Sequence, residues 1–242
     1  MTRIFSAALL CALALPAPAA SPLAPATSSQ KAPAGADAKE KKTYTVGSLV
    51  RRDLALPTLK DPESAKLVFG PLEELETPPV VLMWWSMRDP LCRKSEPKIH
   101  KLAAEYEAKG VRFYLVDSNH DELVAGLGDP LEKIRKMRKD AKITLPLLLD
   151  RGNKVADEFG TLCSNHVFVI DEKRTVRFHG SIDNDPRGQG NVQLEEYLRE
   201  ALDLALEGKS PEFALRRPQG RQIKRAPEEP APSEKAPPAK KR

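Results

Sequence analysis

The stretch "VVLMWWSMRDPLCRKSEP", Val80 to Pro97, decides how this chain folds. Val80 to Trp85 form an unbroken apolar run of strand length, the pattern of a strand buried on both faces. Asp89 then has the character of a helix cap, because its carboxylate can accept from the free amides of a first turn. Pro90 suits the first helical position, where no amide donor is needed. The helix runs on to Gly110, with Ile99, Leu102, Ala103 and Tyr106 as its apolar stripe and a kink expected at Pro97. Cys92 sits in its first turn. An apolar strand leading into a helix that opens on a cysteine is the layout of a thiol redox site, yet Asp89 stands where such a site would place its first cysteine.

Outward from this unit, "VRFYLV" (111–116) predicts a second strand and "SNHDELVAGLGDP" (118–130) a polar loop. Residues 131–141 predict an amphipathic helix with Leu131, Ile134 and Met137 on one face. A short strand is expected over 145–150 and a short helix within 152–160. The segments 166–171 and 174–180 predict a hairpin turning at Glu172-Lys173, and 193–208 a long amphipathic helix ended by Gly208. Residues 43–79 are expected to add a short N-terminal hairpin. Helices alternating with buried strands, then a hairpin and a last helix, give an α/β fold: a three-layer sandwich with a central mixed sheet flanked by helices.

The flanks have another character. Residues 1–20 combine a basic start at Arg3, an apolar run from Ile4 to Leu15 and the small-residue pattern Ala17-Pro18-Ala19. That predicts a secretory signal, too short for a permanent membrane span. Leu10 before Cys11 argues against a lipid anchor. Residues 21–42 are rich in Ala, Pro, Ser and Lys without an apolar period and predict a disordered linker. Residues 216–242 are expected to be a disordered, basic, Pro-rich tail, which leaves 43–215 as the single domain. That tail holds nine Lys/Arg against three Glu, more than the whole net charge of +5. The domain is therefore near neutral. No aromatic-and-basic platform for nucleic acid is present, and at most the tail makes peripheral contact with anionic surfaces. Of three cysteines in the chain, removal of the signal leaves Cys92 and Cys163. In an exporting context these are a disulfide, a redox couple or two unpaired core thiols, with Cys92 then a buried structural cysteine behind its capping Asp, and they are too few for a multi-bridge framework.

The order of these segments resembles the thioredoxin fold, and more closely the secreted redoxins of the alkyl hydroperoxide reductase/thiol-specific antioxidant superfamily. "WWSMRDPLCRKSEP" is similar to the family's Trp-x-x-x-Cys-x-x-Cys-Arg…Pro segment, and "GVRFYLVDSNHDE" to its second strand and Ser-Asn loop. "LPLLLDRGNKVADEFGT" is similar to its Phe-Pro-x-Leu-x-Asp…Val-Ala…Gly segment. "CSNHVFVIDEKRTVRFHGSID" resembles its Thr-Pro loop, hairpin and Gly-x-Ile-Asp ending. The resemblance spans roughly residues 48–215. It implies thiol-disulfide or thiol-peroxide chemistry, with no organic cofactor, a disulfide protein or peroxide as substrate and a partner protein as reductant.

The departures fall on the chemistry. Asp89 replaces the attacking cysteine, while Cys92 keeps the second position. Ser164-Asn165 replaces the Thr-Pro loop, and a trans bond is expected before Asn165, since a cis bond before a non-proline costs about 2.5–4 kcal/mol. On the resemblance, Cys92 is the candidate thiolate, Cys163 the resolving thiol and Asp89 a modulator, with Trp85, Asn165 and Arg93 as candidate substrate contacts. Ionised Asp89 opposes the thiolate, whereas Arg88, Arg93 and the helix end favour it. A Cys92–Cys163 bridge would close a loop of about 70 residues, worth roughly 4 kcal/mol. Asp89, Cys92, Cys163 and His166 are also ligand types for zinc or copper, but the paired-cysteine helix start of thioredoxin-fold copper chaperones is absent and no metal is expected. One of Trp84 and Trp85 is expected in the core and the other over the site. Asp183 is expected to tie down the turn before the last helix, and His100, His120 and His179 have no assigned role. The alternative to redox chemistry is a non-catalytic binding module on the same fold.

Overall fold

Val80–Trp84 is the central strand β3, and the sheet is built around it. The structure is a computed structural model and describes residues 43–71, 77–124, 128–190, 193–213 and 216–227. The expected leader and linker lie outside the described residues. The element order is β1 (Ala55–Pro57), β2 (Ala65–Leu67), β3, α1 (Pro90–Glu107), β4 (Arg112–Asp117), α2 (His120–Leu123), α3 (Pro130–Asp140), β5 (Leu147–Leu149), α4 (Lys154–Glu158), β6 (Val167–Ile170), β7 (Val176–Gly180) and α5 (Tyr197–Leu206). The main sheet runs β5-β4-β3-β6-β7. β3 pairs parallel with β4 and antiparallel with β6, β4 pairs parallel with β5, and β6 pairs antiparallel with β7. β1 and β2 form the expected small hairpin. The sheet is therefore mixed and helix-flanked.

The apolar run of β3 reads without alternation because both of its faces are covered. Val81 and Met83, with Trp85 just past the strand, join one core with Ile99, Leu102 and Tyr106 of α1, Ile134 of α3 and Leu198 and Leu202 of α5. Val80, Leu82 and Trp84 face a second core made by Val155 and Ala156 of α4, Phe159, Phe168, the N-terminal segment and Ile223. Helix α1 continues through Pro97 as a single span. Two differences from the expected elements stand out. The segment 118–130 is not all loop, since α2 occupies His120–Leu123. The last helix begins at Tyr197 rather than 193, because Asn184 holds 193–195 in a loop: its side-chain amide donates to the Gln193 carbonyl at 2.8 Å and its side-chain oxygen accepts from the Glu195 amide at 3.0 Å.

The boundary expected at residue 215 also needs correction. Residues 216–227 pack against the domain through Ile223, which is 3% exposed, and through backbone pairing with the 162–164 segment. Residues 228–242 of the expected tail lie outside the described residues. Among the described residues, no helix is long and apolar enough to cross a membrane.

Candidate active site

Helix α1 points its first turn at the loop that precedes β6, and the site is built where they meet. Asp89 caps the helix as expected: its Oδ1 accepts from the Leu91 amide at 2.8 Å, and Pro90 takes the first position. Its other oxygen does more than cap. Asp89 Oδ2 accepts from the Ser164 hydroxyl at 2.5 Å and from the Arg221 amide at 2.9 Å, and lies 3.7 Å from the Cys92 sulfur. The carboxylate is 2% exposed. Four donors thus converge where the resemblance places an attacking thiol.

Cys92 is fully buried and unbonded. Burial pushes its thiol well above the ordinary value, and the neighbouring Asp89 charge pushes it further. Donors from the Ser86 backbone, the Ser164 hydroxyl and the Asn165 backbone only partly offset this. In this form Cys92 is a protonated thiol donating toward Asp89.

The turn from β3 into α1 is held from beneath by a buried carboxylate. Glu122, on α2 and 1% exposed, accepts from the Ser86 hydroxyl at 2.5 Å and from the Met87 amide at 2.9 Å. Asp117, at the end of β4, is fully buried near it. Its pKa is raised well above the carboxylate range, first by burial and then by the Glu122 charge. Arg88 bridges to Asp121 at 2.5 Å on the outer side. Neither Glu122 nor Asp117 was singled out from sequence. Their signal was weak: acidic residues flanking a polar loop, a composition shared by most solvated loops.

The facing loop positions Cys163, Ser164 and Asn165. The Asn165 amide donates to the Trp84 carbonyl at 2.6 Å and the Trp84 amide to the His166 carbonyl at 2.9 Å, which continues the β3–β6 pairing into the loop. Asn165 has φ +60°, a left-handed conformation that asparagine tolerates better than most residues. The bond before it is trans, as among all described residues. Cys163 is half-buried and free. Burial raises its thiol pKa and Asp89 adds to this, with Arg217 opposing. It opens on a cavity of about 1110 Å³ whose wall includes Leu91, Leu162, His166, His179 and Arg187. His166 and His179 meet there, Nε2 to Nδ1, at 3.2 Å. Burial and then His179 hold His166 down at about 3.

The structure thus brings Asp89, Cys92, Ser164 and Asn165 to one point, with Cys163 next to them in the chain. The expected roof of Trp85 is not formed. Both indoles are 1% exposed: Trp85 donates to Glu96 at 2.9 Å and Trp84 to Ser118 at 3.0 Å, since each lies on one of two covered faces. Asn165, 1% exposed, likewise presents no surface, and its side-chain amide is used on the Gln219 carbonyl at 3.2 Å. Arg93 is exposed and donates to the Met87 carbonyl at 3.3 Å. Asp183 does tie down its turn, through Lys98 and the Asp185 amide. Among the described residues no group of three or more His, Cys, Asp or Glu side chains is placed to hold a metal ion.

What sequence reasoning missed most clearly is the segment across this site. Residues 216–226 lie over it, and no amphipathic period announces them.

Comparison with known proteins agrees with this architecture. A comparison with curated proteins finds no match. Among solved structures, a hypothetical protein from Sinorhizobium meliloti 1021 is similar at 24% identity, with 76% of this chain and 97% of that one covered and a TM-score of 0.63. An uncharacterized conserved protein from Geobacillus kaustophilus is similar at 23% identity, 76% and 95% coverage and a TM-score of 0.59. A Chlorobium tepidum protein provisionally named a thiol:disulfide interchange protein, DsbE, is similar at 19% identity, 68% and 99% coverage and a TM-score of 0.50. These likenesses establish a thioredoxin-like fold. The family model for AhpC/TSA matches residues 53–179, more than half of the sequence and all of the frame from β1 to β7 on which the thiols sit, and on that match the chain belongs to the AhpC/TSA family.

Proposed function

We propose that this protein is an exported thiol redox protein, of the thiol-disulfide oxidoreductase or thiol peroxidase type, held closed in the form described here. One observation carries the reading: the Cys92 sulfur and the Ser164 hydroxyl meet the same Asp89 oxygen, at 3.7 and 2.5 Å, and Ser164 directly follows Cys163, so both free thiols belong to the same end of the sheet. Family membership supports a redox role in general, and the name of the Chlorobium protein supports disulfide exchange. The leader-like residues 1–20 support export.

In the reaction, the Cys92 thiolate attacks one sulfur of a disulfide, forming a mixed disulfide and expelling the other sulfur as a thiolate. Cys163 then attacks the Cys92 sulfur, releases the second thiolate and leaves a Cys92–Cys163 bond. With a peroxide, the thiolate takes the terminal oxygen, an alcohol leaves, and Cys163 condenses with the sulfenic acid, releasing water. Either cycle removes two electrons from the pair, which a dithiol partner protein must return. Burial first, and then the Asp89 charge, hold the Cys92 proton in place.

A second reading has its own support. The saturated Asp89 carboxylate and the sealed Cys92 suit a non-catalytic module that grips a polypeptide backbone. Thiol labelling of the mature protein after denaturation, with and without prior reduction, separates the two, together with disulfide- and peroxide-reduction assays. The redox reading expects oxidation to block labelling of both cysteines and Cys92→Ser to abolish turnover. Labelling indifferent to redox state, or a Cys92→Ser variant as active as the parent, leaves the binding module.

A further inference from the structure

The segment across the site is bonded along its length by groups of the helix start and of the loops around it. The Ser181 amide and hydroxyl donate to the carbonyls of Arg216 and Arg217. Gln219 accepts from Asn165. The Arg221 amide donates to Asp89 at 2.9 Å and to the Ser164 hydroxyl at 3.0 Å. The Ser164 amide returns a bond to the Arg221 carbonyl at 2.8 Å, and the Ile223 amide donates to the Leu162 carbonyl at 3.0 Å, so 221–223 lies antiparallel against 162–164. Farther along, the His120 amide donates to the Lys224 carbonyl at 2.9 Å, and the side-chain oxygens of Asn119 and Asn153 accept from the Lys224 and Ala226 amides.

Nearly all of these bonds are to backbone, which any extended peptide offers. Three residues add selectivity, one of them by having no side chain. Gly220 packs so close that a Cβ would sit 1.9 Å from the Ser164 carbonyl oxygen. Ile223 is buried in the second core. Arg225 bridges to Asp157 at 2.8 Å and donates to the Thr161 carbonyl. Meanwhile one oxygen of Asp89 touches both the Arg221 amide and the Cys92 sulfur.

We propose that this groove is a binding site for an extended basic peptide with the pattern Gly-x-x-Ile-x-Arg, occupied here by the chain's own residues 217–226, and that emptying it uncovers Cys92. The inference deepens the redox reading by giving it a gate, but its test reads exposure and binding rather than turnover. The pairing places a bound backbone over the helix start, so the same groove that admits a polypeptide partner excludes solvent from the thiol while its own segment is docked. A competing peptide must match three points: no Cβ at the position facing Ser164, an aliphatic side chain three residues on, and a guanidinium two residues beyond that, over Asp157.

The experiment uses the full chain. Gly220→Val should leave the domain folded and raise the rate of Cys92 alkylation, mapped by peptide mass spectrometry, by at least about tenfold. A synthetic peptide of residues 216–227 added to that variant should restore protection saturably, and the same peptide carrying Gly220→Ala should bind at least about tenfold more weakly. Arg221→Pro, which deletes the shared amide donor together with the exposed Arg221 side chain and restricts Gly220, should open the site in the same way. A folded Gly220→Val chain whose Cys92 stays as protected as in the parent overturns the proposal, as does failure of the parent peptide to protect. If both variants unfold instead of opening, the segment is an integral strand and the proposal falls with it. An opened, reactive Cys92 without any turnover would sink the redox reading and leave the gate standing.

Discussion

Asp89 shows how much one side chain can be asked to do. Replacing it by serine keeps an oxygen for the Leu91 amide but removes the charge beside Cys92. Asp89→Ser is therefore expected to lower the Cys92 pKa, followed as thiolate absorbance against pH, with little loss of helix capping. Asp89→Ala removes the cap and takes one acceptor from both the Ser164 hydroxyl and the Arg221 amide, which keep the Arg221 carbonyl at 3.1 Å and the Ser164 hydroxyl at 3.0 Å respectively. The expected loss is about 2–4 kcal/mol in a urea melt. His166 makes the second prediction at this scale. Its pKa is held at about 3 in the fold, against 6.5 for a free histidine. The folded state thus binds fewer protons between these values, and the stability this group contributes is full above about 6.5 and is lost as pH falls toward 3. His166→Phe should flatten that part of a Tm-against-pH curve, whereas an unchanged slope would place its cause elsewhere. The capping role of Asp89 was legible because a cap is a local signal, written within three residues. Its bond to Arg221 was not, since 132 positions separate them and no local pattern encodes a backbone amide arriving from that far.

At the scale of elements, legibility followed burial. β3 announced itself because both faces are covered, and α1 because its stripe packs on one of them. The last helix was read too long at its start because Leu194 continues an apolar spacing, yet Leu194 is 53% exposed and Asn184 holds its neighbours in a loop. α2 is not legible in the sequence because four residues are too few for a period to show. That short helix nonetheless carries Glu122, which fixes the turn on which Asp89 and Cys92 stand. Glu122→Ala should cost about 2–3 kcal/mol by leaving the Ser86 hydroxyl and Met87 amide unpaired, and should loosen the helix start, visible as faster amide exchange at Met87. The buried Asp117 beside it gives a pH signature opposite to that of His166. Its pKa is raised in the fold above the ordinary 3.8, so the folded state binds the extra proton and stability falls as pH climbs from 3.8. Asp117→Asn should remove that decline, and a decline that persists would assign it to another group.

Taken as a whole molecule, the protein holds its last described segment by contacts to both ends of the site: Ser181 and Asp89 on one side, Asn119, Asn153 and Asp157 on the other. Composition concealed this. A run such as "RRPQGRQIKRAP" is basic and proline-bearing like the linker; Gly220 and Ile223 are isolated in it, and Arg225 is one of several basic residues. A segment that docks by its backbone leaves almost no apolar pattern to read. The mode of docking has a thermodynamic consequence. If 217–226 opens as a unit, weakening it can cost the folded chain no more than the free energy of docking, since beyond that point the segment is simply released. Ile223→Ala removes a side chain whose truncation in a rigid core costs about 2–5 kcal/mol. Arg225→Ala removes a partly exposed ion pair worth at most about 1 kcal/mol. The double variant should therefore fall short of the sum of the singles and level off at the stability of the Gly220→Val chain, as measured by urea unfolding of all four proteins. A double variant that is markedly less stable than Gly220→Val would mean that Ile223 supports the second core even when the site is open, and that the segment and the sheet unfold as one body.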